Sequence, residues 1–392
     1  MSDIIDIVVI GGGIHGAGVA QQAAAQGYRA LVLEKNTVAS GTSSRSSKLI
    51  HGGLRYLESA QFGLVKECLH ERKALVKIAP DLVKLKPFYI PVYQQTRRHP
   101  LTLMIGLGIY GVFTGFDASA KFRLIPRKEW SALDGLNQVG LRKVLQYWDA
   151  QTDDAKLTLA VMQSAQKYGA QLKEAAELTK LCRITEGWQV TYTEQGSEKT
   201  INTRVVINAS GPWVNETLDK VVAKPQRLSI DLVQGTHIVL DGKLNGGIYY
   251  VESPVDGRAI FVMPRGEDEI MIGTTETIYE GDPDNVVPLA SEIRYLLESF
   301  AFYFPSYKNI NESQVKHAFA GLRVLPSTEQ SAFKRSRDTI LHEDKKNAPG
   351  LLSIYGGKLT AYRITAERVM RLVMTNLPKA KQIADTCHIK LC

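Results

Sequence analysis

The chain opens on a buried-strand signature, Ile7-Val8-Val9-Ile10, that runs straight into Gly11-Gly12-Gly13-Ile14-His15-Gly16. Gly11, Gly13 and Gly16 stand in G-x-G-x-x-G spacing at the turn from a strand into a helix. The first glycine permits the tight turn, the second lets backbone approach a pyrophosphate, and the third allows close helix–strand packing. The helix then presents free N–H groups and its positive dipole end to an anion. A second apolar stretch, Ala30-Leu31-Val32-Leu33, ends at Glu34, placed to accept hydrogen bonds from both ribose hydroxyls. A carboxylate there repels a 2′-phosphate, which disfavours NADP. These features predict an ADP-containing dinucleotide but do not separate NAD from FAD.

A length of 392 residues predicts about two to three domains. Cys68, Cys182, Cys387 and Cys392 form no C-x-x-C pair, so neither a zinc site nor a redox dithiol is expected, and no metal is assigned. Cys387 and Cys392 flank His388 in what reads as a frayed tail. Free cysteines suit a reducing cytosol. Asp3 and Asp6 lead directly into the first strand, leaving no room for a secretory signal. The net charge of +8 admits nucleic acid, an anionic membrane or an anionic substrate as partner. The basic residues are scattered and match no nucleic-acid motif, which argues against the first.

Apolar spacing predicts helices around 62–76, 157–168 and 291–303, and a final helix carrying Tyr362, Ala366, Val369 and Val373. Strands are expected at 87–93, 204–209 and 351–355. Residues 236–240, 247–251, 259–263 and 270–274 read as an antiparallel meander. The run 101–116 carries no charge and is flanked by Arg97, Arg98 and His99 on one side and Lys121 and Arg123 on the other. It is short for a transmembrane helix. An element lying on an anionic leaflet is preferred over a buried core helix.

The hydroxyl-rich loop 42–47 suits a second phosphate and ribitol oxygens, or a plain polar surface loop. Its continuation into His51-Gly52-Gly53 decides for the first reading. Paired glycines let backbone lie flat against a planar ring such as an isoalloxazine, and Gly356-Gly357 offers the same near the other end. Two Gly-Gly elements plus a glycine-rich phosphate turn suit FAD better than NAD. Arg55, Arg323 and Lys358 are candidate cations for a phosphomonoester, whose oxygens guanidinium forks meet bidentately.

Residues 41–58, Gly-Thr-Ser-Ser-Arg-Ser-Ser-Lys-Leu-Ile-His-Gly-Gly-Leu-Arg-Tyr-Leu-Glu, closely resemble the signature of FAD-dependent glycerol-3-phosphate dehydrogenases, relatives of the D-amino-acid oxidase group. Asn208-Ala209-Ser210-Gly211-Pro212-Trp213, Gly321-Leu322-Arg323 and Gly356-Gly357-Lys358-Leu359-Thr360 agree, in order, with the same family. The resemblance implies a Rossmann-type α/β FAD-binding domain interleaved with an antiparallel-sheet (α+β) substrate domain. The first is expected over 1–80, 150–220 and 325–380, the second over 81–149 and 221–324, with a tail at 381–392. Residues and resemblance together assign to FAD Gly11, Gly13, Ile14, His15, Gly16, Glu34 and Lys35; Thr42, Ser43, Ser44, Ser47, Lys48, Leu49, His51 and Gly52; Ala209, Gly211 and Trp213; and Gly356, Gly357, Lys358, Leu359 and Thr360.

The implied reaction oxidises sn-glycerol 3-phosphate to dihydroxyacetone phosphate, with hydride passed to the flavin and electrons onward to a quinone. Oxygen as acceptor, or a D-amino-acid or 2-hydroxy-acid substrate, is the alternative. Arg55, Tyr56, Arg323, Arg337 and Lys358 are the expected substrate contacts, although Arg337 could simply pair with Asp338. His51 and His237 are the titratable candidates for the base; Lys358 and Tyr56 complete the catalytic set. Thr274-Thr275-Glu276 resembles a family element near the active-site roof, or is a strand end with a turn. By resemblance the enzyme is peripheral on the cytoplasmic side of the inner membrane, or cytoplasmic, with a homodimer as a possible assembly. Family members usually continue into a helical C-terminal domain, whereas this sequence stops soon after the last motif helix.

Overall fold

The computed structural model describes residues 4–58, 61–113, 122–327 and 338–391. Strand Ile5–Ile10 lies between Ala30–Leu33 and Ser197–Asn208, parallel to both. Leu351–Tyr355 and Gln171–Lys173 extend the parallel sheet on either side, and Ile340–Glu343 adds an antiparallel edge. Side chains alternate across this sheet. Ile7 and Val9 face one layer, where helix Ile14–Ala25 packs against Asp154–Lys167 and Tyr362–Val373. Val8 and Ile10 face the other, with Leu178, Leu181 and Val190 of the hairpin Ala176–Ile184/Gly187–Glu194. The small side chains Ala17, Ala20, Ala23 and Ala24 are fully buried, which allows helix Ile14–Ala25 to sit close on the sheet.

The second sheet orders its strands Thr277–Tyr279, Ile230–Asp241, Glu269–Gly273, Ala259–Arg265, Ile248–Glu252, Val83–Tyr93, Leu141–Thr152 and Leu49–Ile50. Val315–Pro326 pairs along Ile230–Asp241 over nearly its whole length. The expected meander holds for Ile248–Glu252, Ala259–Arg265 and Glu269–Gly273, but it continues into Ile230–Asp241, the earliest of the four in sequence. Its other edge joins Val83–Tyr93 in parallel, so the sheet is mixed rather than purely antiparallel. Its strands come from both sides of 171–208, so the two sheets interleave along the chain.

The tail is docked, not frayed. Leu391 is buried and its N–H donates to Ile78 O at 2.8 Å, while Thr386 Oγ1 donates to Gln22 Oε1 at 2.7 Å. His388 Nδ1 lies 3.2 Å from Asp385 Oδ2, and Cys392 lies outside the described residues.

Of the uncharged run, Pro100–Phe113 is a helix; 114–116 and Lys121 lie outside the described residues. Leu103, Leu107 and Tyr110 turn inward. Leu101, Ile105 and Val112, at spacings of one and two helical turns, are 58, 56 and 57% exposed. Its basic flank is partly committed, because Arg98 pairs with Glu252 at 2.7 Å. Among the described residues no helix is long and apolar enough to cross a membrane.

Candidate active site

The carboxyl ends of the parallel strands open onto one cavity of about 680 Å³ between the two sheets. Ile10 leads to Gly11, Leu33 to Glu34, Asn208 to Ala209, and Tyr355 to Gly356, and each of these four residues beyond a strand end lines the cavity. Ligands of open α/β sheets sit in such a crevice.

At the first strand end the glycine turn has the predicted geometry. A Cβ on Gly16 would stand 1.9 Å from Gly11 O, so the helix crosses the turn at a distance only glycine allows. Glu34 accepts from Gly12 N at 2.6 Å and from Asn36 N at 2.8 Å, which orients its carboxylate beside the turn. Ser43 Oγ accepts from Ile14 N at 2.9 Å, and Thr42 Oγ1 donates to Leu322 O at 2.8 Å, tying the hydroxyl-rich loop to both sheets. Lys35 Nζ lies 4.2 Å above the Trp213 ring and donates to Asp284 Oδ1 at 2.6 Å. Glu34, Lys35, Thr42, Ser43, Gly211 and Trp213 all line the cavity.

Gly357 has φ +104° and an added Cβ would stand 2.1 Å from His15 Nε2, so the last glycine pair lies against the first glycine turn. His51, Tyr56, Lys358, Leu359, Thr360 and Arg323 also line the cavity. Thr360 Oγ1 accepts from His51 N at 3.1 Å, joining the two Gly-Gly elements across the chain. Lys358 Nζ sits 3.7 Å over the Tyr56 ring. Arg323 Nη1 donates to Glu276 Oε1 at 2.8 Å, and its Nη2 donates to Thr275 O at 2.9 Å.

Four assigned cofactor contacts stand back from the cavity. Lys48 Nζ bonds Asp154 Oδ1 at 2.5 Å, because that fully buried carboxylate requires a cation. Ser44 Oγ donates to Gly41 O at 3.2 Å within its own turn. Gly52 is buried behind the loop, its N–H donating to Tyr110 Oη at 2.9 Å. Gly16 is covered by Gly11, as its packing role requires. Arg55 opens the short helix Arg55–Glu58. Arg337 lies outside the described residues.

The two candidate histidines differ. His51 lies in the cavity wall, its ring centroid 6.4 Å from that of Phe261. His237 is 2% exposed, stacks on Phe319 at 5.0 Å, and its Nε2 lies 2.9 Å from Ser47 Oγ. Burial first, then the charges of Arg323 and Lys48, push its pKa from the ordinary 6.5 to about 3. His237 is therefore neutral at physiological pH and a weak base. The unfolded chain binds a proton at His237 below pH 6.5 and the native chain does not until about 3, so this group makes stability rise with pH across that window. His237→Asn is expected to flatten the dependence of unfolding free energy on pH between 6 and 4 by up to about 1.4 kcal/mol per pH unit, read from denaturant titrations.

Arg258, Tyr250 and Phe261 also line the cavity and carry no motif. Arg258 Nη1 donates to Glu276 O at 2.9 Å, beside Arg323. Only the pairing of Glu252 with Ala259 reveals where this arginine lies.

The FAD dependent oxidoreductase (DAO) family matches residues 6–363, and the chain belongs to it. It is 34% identical over 379 residues to the D-erythritol 1-phosphate dehydrogenase of Brucella abortus (strain 2308), covering 95% of this chain and 74% of that protein. It is 35% identical over 376 residues to the aerobic glycerol-3-phosphate dehydrogenase of Escherichia coli (strain K12), covering 93% and 72%. The crystal structure of the Bacillus halodurans glycerol-3-phosphate dehydrogenase complexed with FAD superposes with a TM-score of 0.77 at 28% identity, covering 99% of this chain and 68% of that one.

FAD is accordingly the cofactor, and the cavity fits it. His15 Nδ1, Trp213 Nε1 and Lys358 Nζ, on three residues that line the cavity, are buried polar atoms without a hydrogen-bond partner among the described residues. Buried polar groups are rarely left so. A long ligand with acceptors along its length satisfies all three.

Proposed function

We propose that this enzyme oxidises sn-glycerol 3-phosphate to dihydroxyacetone phosphate and passes the electrons to a quinone. The observation that carries the reading is that Arg323, Lys358 and His51 line the same cavity as Glu34 and the glycine turn. Bound FAD supplies the acceptor for the hydride that leaves C2. Arg323, with Arg258 beside it, holds the phosphate by charge-assisted hydrogen bonds. An imidazole nitrogen of His51 takes the proton from the C2 hydroxyl. Lys358 places positive charge where negative charge develops. Gly53, Leu54 and Phe261 line the same cavity.

D-Erythritol 1-phosphate is the second reading, because a relative of that name matches as well as the glycerol-3-phosphate dehydrogenases do. Comparing kcat/KM for the two polyol phosphates tests the assignment. A clear preference for the four-carbon substrate, or no activity with either, overturns it. Stoichiometric hydrogen peroxide in air, with no rate gain on adding quinone, would assign oxygen as the acceptor.

The helix Pro100–Phe113 is assigned here to an anionic membrane surface, on the exposed row Leu101, Ile105 and Val112. Replacing all three by glutamate is expected to weaken binding to phosphatidylglycerol vesicles at least ~100-fold, since each buried aliphatic side chain contributes roughly 1.5–3 kcal/mol. Flotation of the wild-type protein free of such vesicles would end the idea.

A further inference from the structure

The cavity wall beside Arg323 is built from two stretches, 234–237 and 274–277, whose side chains alternate in direction. Gly235, His237, Thr274 and Glu276 line the cavity. Gln234, Thr236, Thr275 and Thr277 all turn the other way, onto the carboxylate of Glu292 in helix Ala290–Tyr303. Oε1 accepts from Thr275 Oγ1 at 2.7 Å and Thr277 Oγ1 at 2.8 Å. Oε2 accepts from Thr236 Oγ1 at 2.5 Å, Gln234 Nε2 at 2.7 Å and Leu289 N at 3.3 Å. The donors are three hydroxyls, one amide and one backbone N–H, none of them a cation. Glu292 is 5% exposed. Burial disfavours its charge, yet the bonds from Thr236, Thr275, Thr277 and Gln234 outweigh this and hold its pKa below the ordinary range.

This carboxylate ties the two stretches together, and Thr236 N adds a bond to Thr275 Oγ1 at 2.8 Å. Arg323 leans on the same stretch: Glu276 Oε1, Thr275 O and Thr274 Oγ1 lie 2.8, 2.9 and 3.3 Å from its guanidinium. Shifting 274–277 therefore shifts all three groups that aim Arg323. We propose that Glu292 is a positioning residue for substrate recognition: it fixes 274–277 so that Arg323 presents its guanidinium to the anionic group of the substrate. The proposal rests on the assignment of Arg323 to the substrate phosphate.

Glu292→Gln keeps the shape but turns an NH₂ toward hydroxyl and amide donors. In the FAD-loaded enzyme it is expected to raise KM for glycerol 3-phosphate roughly tenfold, and the inhibition constant for inorganic phosphate in step, with kcat changed less than about threefold. Flavin content and absorption spectrum stay those of wild type. Thr277→Val, which removes a single donor, shifts both constants in the same direction by about threefold. It decides the matter should Glu292→Gln fail to fold. Unchanged KM and phosphate inhibition in the variants that fold, or a fall in kcat at constant KM, overturns the proposal. A wild-type enzyme that does not turn over glycerol 3-phosphate would instead sink the substrate assignment.

Discussion

Replacing Lys358 by methionine is expected to lower turnover at least ~100-fold while the protein stays yellow. Lys358 follows directly on Gly356-Gly357 at the end of strand Leu351–Tyr355. Its ammonium is buried over the Tyr56 ring with no hydrogen-bond acceptor among the described residues. An unpaired buried cation is costly, so its presence points to an anionic partner that arrives with cofactor and substrate. Methionine keeps the length and apolar stem and removes only the charge. Flavin retention is expected because the change leaves Glu34, Ser43 and the glycine turn, which line the same cavity, untouched. His51→Ala belongs to the same experiment. Loss of a general base costs about 10²–10⁴-fold and removes the acid limb of the kcat/KM pH profile. Flavin absorbance per mole of protein and single-turnover flavin reduction read both outcomes; normal reduction rates in both variants would remove these residues from the chemistry.

Arg323→Leu is expected to reduce kcat/KM for glycerol 3-phosphate by roughly 10³-fold, nearly all of it in KM, through loss of charge-assisted bonds. The change also leaves the Glu276 carboxylate, 6% exposed, without its guanidinium. Breaking a buried pair by deleting one partner destabilises by about 3–5 kcal/mol, less here because the Arg323 side chain is 23% exposed. Recognition and stability separate in the double variant Arg323→Leu/Glu276→Leu. Unfolding free energy should largely return, since no charge is left unpaired, while KM stays high. Arg323→Lys keeps the charge but not the fork, and an intermediate loss of about tenfold is expected. Wild-type KM in Arg323→Leu would exclude this arginine from the phosphate.

What the sequence made legible follows the range over which each cause acts. The glycine turn, the place of Glu34 at a strand end and the 351–355 strand are set by neighbours in the chain, and the local pattern betrays them. The hydroxyl loop was readable as a whole but not residue by residue. Lys48 and Ser43 look alike on paper, yet one meets the buried Asp154 and the other caps helix Ile14–Ala25. Arg258 and Glu292 were invisible because sheet pairing and a helix distant in sequence bring them to the site. Likewise the tail read as frayed because nothing in its composition records that Gln22 and Ile78 await it. The strand Val315–Pro326 was missed beyond its Gly321-Leu322-Arg323 motif, its register on Ile230–Asp241 being a long-range outcome.

Anaerobic titration of the FAD-loaded protein with glycerol 3-phosphate is the most direct measurement. One equivalent of substrate per flavin should bleach the visible flavin band and yield one equivalent of dihydroxyacetone phosphate. A flavin band that stays unchanged at saturating glycerol 3-phosphate, in protein that binds FAD stoichiometrically, would contradict the assignment of this cavity to polyol-phosphate oxidation.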